Sequence, residues 1–193
     1  VMSSPVGNFT LSPMPLANTK NPAVKVLPRI DINGLPISKG FVIGGGINGQ
    51  VSIISKTAMG NLNGDGYTDL IITGPTASPL SRSSAGIASI VFGSAKGQAN
   101  TDLISEGSGF RIIGANANDQ LGTAAAMGDI NGDGYDDIVI AAPYATTYIN
   151  SITGTGRSRA GIIYTILGKA TGFSDIDLAS GTSAAYTING AVA

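Results

Sequence analysis

The sequence predicts an all-β protein, and three observations carry that expectation. Charged residues make up only 12% of the 193 while glycine reaches 28, so the charged residues that long helices draw on are scarce. Apolar runs are short and stop at a proline, as in DLIITGP at 69–75 and DIVIAAP at 137–143. A helix cannot fit between such stops, whereas a strand buried on both faces can. Last, the chain repeats itself at a period suited to a unit of several short strands.

Composition also excludes chemistries. There is no His and no Cys, which removes zinc sites, thiol nucleophiles and histidine acid–base catalysis. The lack of Cys fits a cytosolic protein or a bacterial surface protein, and argues against a small disulfide-stapled domain. Net charge is −1 with no block of Lys or Arg, so the phosphate-neutralising footprint of a nucleic-acid binder is missing. No run of about 18 apolar residues occurs, and no membrane span is expected. The chain opens at Val1 with neither an initiator Met nor a leader, which reads as a mature or excised piece of something longer.

Residues 1–25, with Pro5, Pro13, Pro15 and Pro22, read as an arm or linker, and residues 26–193 as the repeating segment. AMGNLNGDGYTDLIITGP at 58–75 aligns without gaps to AMGDINGDGYDDIVIAAP at 126–143. GFVIGG at 40–45 aligns with GFRIIG at 109–114, and AGIASIVFGSAKG at 85–97 with AGIIYTILGKATG at 160–172. The second unit is longer because of a polar segment, 144–159, expected to be an enlarged loop. AYTINGAVA at 185–193 resembles GFRIIGANA at 109–117. Units are therefore placed at about 41–109 and 110–185, with a third opening at 186. Within a unit the expected strands are one near 110–114, a strand-like stretch at 121–127, Ile138–Ala142, and one at 160–167. About four antiparallel strands make one blade of a β-propeller. Two complete units cannot close a ring, so this is a partial propeller whose blades are completed elsewhere or by other chains.

The chemistry sits in the acidic loops. In the second, Asp129, Asn131, Asp133, Tyr135 and Asp137 occupy positions 1, 3, 5, 7 and 9. Alternate placement in a tight turn directs side-chain oxygens inward, with position 7 offering its carbonyl, and Gly132 and Gly134 permit the turn. Ca²⁺ takes six to eight hard oxygen ligands in flexible geometry, which suits this set better than magnesium's strict octahedron. Ile140 stands where an EF-hand needs its bidentate Glu, so this is a nine-residue connection between strands. The first loop places Asn61, Asn63, Asp65, Tyr67 and Asp69 at the same positions. It has fewer carboxylates, so the 129–137 loop is expected to bind more tightly. The competing reading is a metal-free turn held by side-chain to backbone hydrogen bonds.

These residues resemble the FG-GAP repeats of the integrin α-subunit propeller and its bacterial relatives. DINGDGYDD matches that family's calcium motif, Leu121-Gly122 stands at its Phe-Gly element, and Ala141-Ala142-Pro143 at its Gly-Ala-Pro. In the first unit Thr73-Gly74-Pro75 is the corresponding triplet, but Ile53-Ile54 replaces the Phe-Gly element and Asn61 the usual Asp. The resemblance, over roughly 37–193, implies a propeller of about seven blades with calcium loops on one face.

The functional expectation is a calcium-binding, non-catalytic module of a secreted or surface protein that mediates adhesion, taking a protein or glycan partner on its loops. The alternatives are a structural subunit that assembles with copies of itself and the accessory propeller of a secreted enzyme. Asp102, Glu106, Asp119, Asp175 and Asp177 are scattered, and no catalytic pair emerges; Asp119 reads as serving local turn geometry. Arg157, Arg159, Tyr144 and Tyr148 lie in or beside the enlarged loop, either as solvated groups or as a partner edge.

Overall fold

A computed structural model describes residues 43–44, 56–95, 101–102, 109–150, 155–181 and 186–191. The expected arm at 1–25 lies outside these described residues. In chain order the strands are β1 (Ile43–Gly44), β2 (Lys56–Gly60), β3 (Asp69–Gly74), β4 (Ile87–Val91), β5 (Thr101–Asp102), β6 (Gly109–Ile113) and β7 (Ala124–Gly128). They continue with β8 (Asp137–Ala142), β9 (Thr147–Asn150), β10 (Thr155–Arg157), β11 (Ile162–Ile166), β12 (Ile176–Asp177) and β13 (Tyr186–Asn189). Among the described residues the helical structure consists of two short 3-10 turns, Pro79–Ser81 and Leu178–Ser180, so no helix there is long and apolar enough to cross a membrane.

Two sheets dominate: a five-stranded one in the order β12-β6-β4-β3-β2, antiparallel except for β12, and an antiparallel four-stranded one in the order β13-β11-β8-β7. They are two blades of a partial β-propeller, and β2 lies against β7 where the blades meet. The inner strands explain the apolar runs of the sequence. On β3, Ile71 and Ile72 are both buried, and on β8, Ile138 and Ile140 are fully buried. One continuous core takes Ile71, Ile90 and Phe110 from the first sheet and Ile138, Ile140 and Tyr164 from the second. Each fully buried large apolar side chain contributes about 1.5–3 kcal/mol. Leu121, fully buried between the blades, makes an isolated parallel bridge to Gly86.

The strands are grouped differently from the sequence expectation. The strand expected near 110–114 to open the second unit instead closes the first sheet: β6 pairs antiparallel with β4, Phe110 opposite Ile90. Likewise β13 pairs with β11, Ile188 opposite Ile163, and closes the second sheet at the point where a third unit was expected to open. Comparing repeats sets their period but not their phase, and only the hydrogen-bonded partner decides which sheet owns a strand. The enlarged loop is also more ordered than expected. Within 144–159, β9 and β10 form a hairpin with a register shift between Thr155 and Gly156.

Two further pairings run parallel and link successive units. β5 lies on β1, Ile43 opposite Thr101 and Gly44 opposite Asp102. β12 lies on β6 in the same manner, Ile112 opposite Ile176 and Ile113 opposite Asp177.

Candidate metal centre

Each acidic loop is the connection of a β-hairpin, β2 to β3 and β7 to β8. The backbone turn is imposed by Gly64 and Gly66 (φ +71° and +85°) and by Gly132 and Gly134 (φ +78° and +90°), conformations costly for any side chain.

In the second loop, position 1 organises the tip. One oxygen of Asp129 accepts the N–H groups of Gly132 (2.7 Å) and Asp133 (3.1 Å), and the other accepts that of Gly134 (2.9 Å). Asn131 Oδ1 accepts the Asp133 N–H at 3.0 Å, its amide donates to Asp133 Oδ2 at 2.8 Å, and Tyr135 N–H donates to Asp133 Oδ1 at 2.9 Å. Asp129, Asn131 and Asp133 thus share one exposed tier. The first loop repeats the pattern at Asn63, Asp65 and Tyr67, with Tyr67 N–H donating to Asp65 Oδ1 at 2.8 Å.

Position 9 does something else. Asp137 is fully buried; its oxygens accept the N–H of Ile130 at 3.0 Å and of Gly168 at 2.8 Å. Asp69 is also fully buried and accepts the N–H of Leu62 (2.8 Å) and of Gly93 (2.9 Å). These carboxylates strap the loop start to the end of the third strand of their own blade. Burial pushes the Asp69 carboxyl above the ordinary carboxylate range, against the lowering effect of its hydrogen bonds from Gly93 and Leu62. The strap requires glycine at its far end. A Cβ on Gly93 would fall 2.4 Å from the Thr68 carbonyl oxygen, and one on Gly168 the same distance from that of Asp136. Sequence reasoning missed this role, although the glycines stand at one aligned position of the repeat.

It also missed Asp136. Its Oδ2 accepts the N–H of Asn61 at 2.6 Å, and its own N–H donates to the Asn61 carbonyl at 3.1 Å. The Leu62 carbonyl accepts the N–H of Lys169 at 3.1 Å. The two acidic loops are therefore neighbours, locked together through the backbone at Asn61 and Leu62. Position 8 of the first loop is Thr68, so the lock is not a repeated feature and no internal alignment could reveal it.

Among the described residues, no three Asp, Glu, His or Cys side chains gather closely enough to form a metal cage. Each side-chain oxygen of Asp137 and Asp69 accepts one backbone N–H. The donor chemistry nonetheless fits a hard cation. Every donor is an oxygen, and a carboxylate oxygen that accepts one N–H keeps a second lone pair. At position 1 of the first loop, Asn61 Oδ1 is buried with no hydrogen-bond partner, an unsatisfied acceptor of the kind a cation would fill.

Three other carboxylates flagged in the sequence, Asp119, Asp175 and Asp177, serve the fold. Arg82 forks onto Asp177, at 2.8 Å to Oδ1 and 2.6 Å to Oδ2, and this guanidinium holds the Asp177 carboxyl below its ordinary range. Asp175 pairs with Arg111, whose Nε donates at 2.9 Å. Asp119, buried and pushed up by desolvation, accepts the N–H (3.1 Å) and side-chain amide (3.2 Å) of Asn116. That is the turn role expected of it. Burial raises the Tyr164 hydroxyl to about 12, with the Asp119 charge adding to the effect. Arg159 lies over the Tyr144 ring, 4.5 Å from its centroid. Glu106 lies outside the described residues.

A family model described as FG-GAP repeat matches residues 55–91 and 121–166. The chain carries two FG-GAP repeats. Its curated relatives include integrin alpha-V of Gallus gallus, 33% identical over 125 residues, covering 63% of this chain and 10% of that protein. The chain thus spans about a tenth of the length of that relative. Both matched FG-GAP segments run from the strand before the acidic loop, through that loop, to the third strand of a blade.

Proposed function

We propose that the chain is a calcium-stiffened, non-catalytic interaction module of a secreted or cell-surface protein, presenting its blade loops to a protein or glycan partner. The observation that carries this reading is the same oxygen set built twice at matched register on adjoining hairpins, with an unsatisfied Asn61 Oδ1 at its head. In the second loop the ligands are the side chains of Asp129, Asn131, Asp133 and Asp137 and the Tyr135 carbonyl. In the first they are those of Asn61, Asn63, Asp65 and Asp69 and the Tyr67 carbonyl.

When bound, calcium neutralises the clustered carboxylates and stiffens each hairpin. Asp129 holds the turn by collecting three N–H groups, Asp137 and Asp69 fix the loop to the blade, and Asp136 joins the two loops. With three carboxylates against two, the 129–137 loop binds more tightly. Sites of this kind in extracellular modules work at Kd near 10⁻⁴–10⁻³ M and fill outside a cell. The integrin relative supports an adhesive role, and the engagement of Asp119, Asp175 and Asp177 in structural contacts supports a non-catalytic one.

The test is a thermal melt in millimolar calcium and in chelator, for the native chain and for Asp133→Ala. Calcium at about 10 times Kd adds about 1.4 kcal/mol, or roughly 3–6 °C in a chain of this size. The variant should lose most of that rise. An identical melting temperature with and without calcium sinks the metal reading and leaves two metal-free turns.

A further inference from the structure

The two acidic loops carry the same run, Asn-Gly-Asp-Gly-Tyr, at 63–67 and 131–135. Asparagine followed by glycine is chemically fragile. The glycine nitrogen, with no Cβ beside it to hinder approach, can attack the amide carbon of the asparagine. In both loops the side chain is folded for that approach. Asn63 Oδ1 accepts the N–H of Asp65 at 3.1 Å, and Asn131 Oδ1 accepts that of Asp133 at 3.0 Å. The ring closed by this bond contains both the amide carbon and the intervening glycine nitrogen. With local sequence and turn alike, only contacts brought by the rest of the fold can separate the two sites.

The glycine N–H is what differs. In the second loop Gly132 donates to Asp129 Oδ1 at 2.7 Å. The nitrogen must lose this proton to attack, and a proton held by a carboxylate is harder to remove. In the first loop position 1 is Asn61, whose Oδ1 is buried without a partner. Among the described residues no acceptor takes the Gly64 N–H. The third described pair of this type, Asn189-Gly190, is held as well, because the Gly190 N–H donates to the Gly161 carbonyl at 2.9 Å. Asn33-Gly34 and Asn48-Gly49 lie outside the described residues. Exposure ranks the two loops the other way, since Asn131 is exposed and Asn63 half-buried. Water nonetheless reaches the first site, because Gly64 itself is exposed.

We propose that Asn63 is a modification site at which the first loop deamidates spontaneously, with solvent water as the co-reactant. The Gly64 nitrogen bonds to Asn63 Cγ and gives up its proton, the Cγ–Nδ2 bond breaks, and ammonia leaves. The succinimide so formed takes up water and opens either to aspartate or to isoaspartate. The aspartate product adds a carboxylate beside Asp65 and Asp69. The isoaspartate product runs the main chain through the side-chain carbon, which lengthens the loop and draws Asp65 away from the Tyr67 N–H it holds at 2.8 Å. Neither product returns to the amide. The first loop therefore changes charge with age, while the second, its glycine held by Asp129, keeps its amide. No step needs a bound metal, so the reaction is independent of the calcium reading.

The test is incubation of the folded 193-residue chain in chelator at mildly alkaline pH and physiological temperature, with conversion at each asparagine followed by peptide mapping and tandem mass spectrometry. Trypsin places Asn63 and Asn131 on separate peptides, 57–82 and 112–157. Asn63 should convert about tenfold faster than Asn131, the factor that a hydrogen bond to a charged group on the Gly132 N–H is worth. In the urea-unfolded chain the two rates should coincide, because the local sequences match. Asn61→Asp supplies the missing acceptor and should slow Asn63 toward the rate of Asn131. Asp129→Ala removes the acceptor from the exposed second loop and should raise Asn131 toward the rate of Asn63. Equal rates in the folded chain, or faster conversion at Asn131, overturn the proposal. So does an Asn131 rate that Asp129→Ala leaves unchanged, or a rate difference that survives unfolding.

Discussion

Asp137 separates two roles that the loop motif alone runs together, those of cation ligand and of backbone strap. Its side chain is fully buried, and its oxygens accept the N–H groups of Ile130 and Gly168 at 3.0 and 2.8 Å. Asp137→Ala strands both donors. A buried donor left without a partner costs about 1–3 kcal/mol, and removing a buried charge returns part of that, so the net loss should be about 2–4 kcal/mol. In a chain of this size each kcal/mol moves the melting temperature by roughly 2–4 °C, giving a fall of about 5–15 °C. The assay is urea and thermal unfolding in excess chelator, so that no cation contributes. Asp133→Ala is the comparison, because its carboxylate lies in the exposed tier and accepts from Tyr135 and Asn131 near solvent. In chelator it should lose under about 1 kcal/mol. If Asp137→Ala matches Asp133→Ala in chelator and differs from the native chain only with calcium present, the strap reasoning is wrong and Asp137 serves the metal alone.

Gly86→Ala should destabilise by about 2–4 kcal/mol. It puts a side chain at φ +86° and a Cβ 2.2 Å from the Leu121 carbonyl oxygen, combining left-handed strain with loss of the bridge at Leu121; an unchanged urea midpoint refutes this. The Arg82–Asp177 clamp predicts an acid-dependent contribution. Because the folded Asp177 carboxyl lies below its unfolded value of 3.8, its stabilisation is full above that pH and drains away as pH falls through the lowered value. Native and Asp177→Asn chains should therefore differ in stability at pH about 6 and converge near pH 2, and a constant gap would rule this linkage out.

Much of the architecture is legible in the chain itself. Short apolar runs closed by Pro75 and Pro143 require strands buried on both faces, and two aligned Asx-Gly loops require hairpins with left-handed glycines. Those are local constraints, and β3, β8 and both loops obey them. The repeat period is likewise a property of sequence, and the two FG-GAP matches follow it. Phase is not, because the strand at 109–113 has its partner in β4 of the preceding sheet, and a pairing across an intervening loop leaves no mark on either segment alone. The roles of Asp137 and Asp69 were hidden for a related reason. The motif places five oxygens in order, but whether a carboxylate faces the loop or a backbone N–H brought from Gly168 or Gly93 depends on where the third strand ends. Asp136 and Arg157 complete the pattern: one grips Asn61, 75 residues away in the chain, the other the Gly190 carbonyl, 33 residues away. Their neighbours are set by how blades pack, so sequence determined the parts while tertiary contact decided which parts meet.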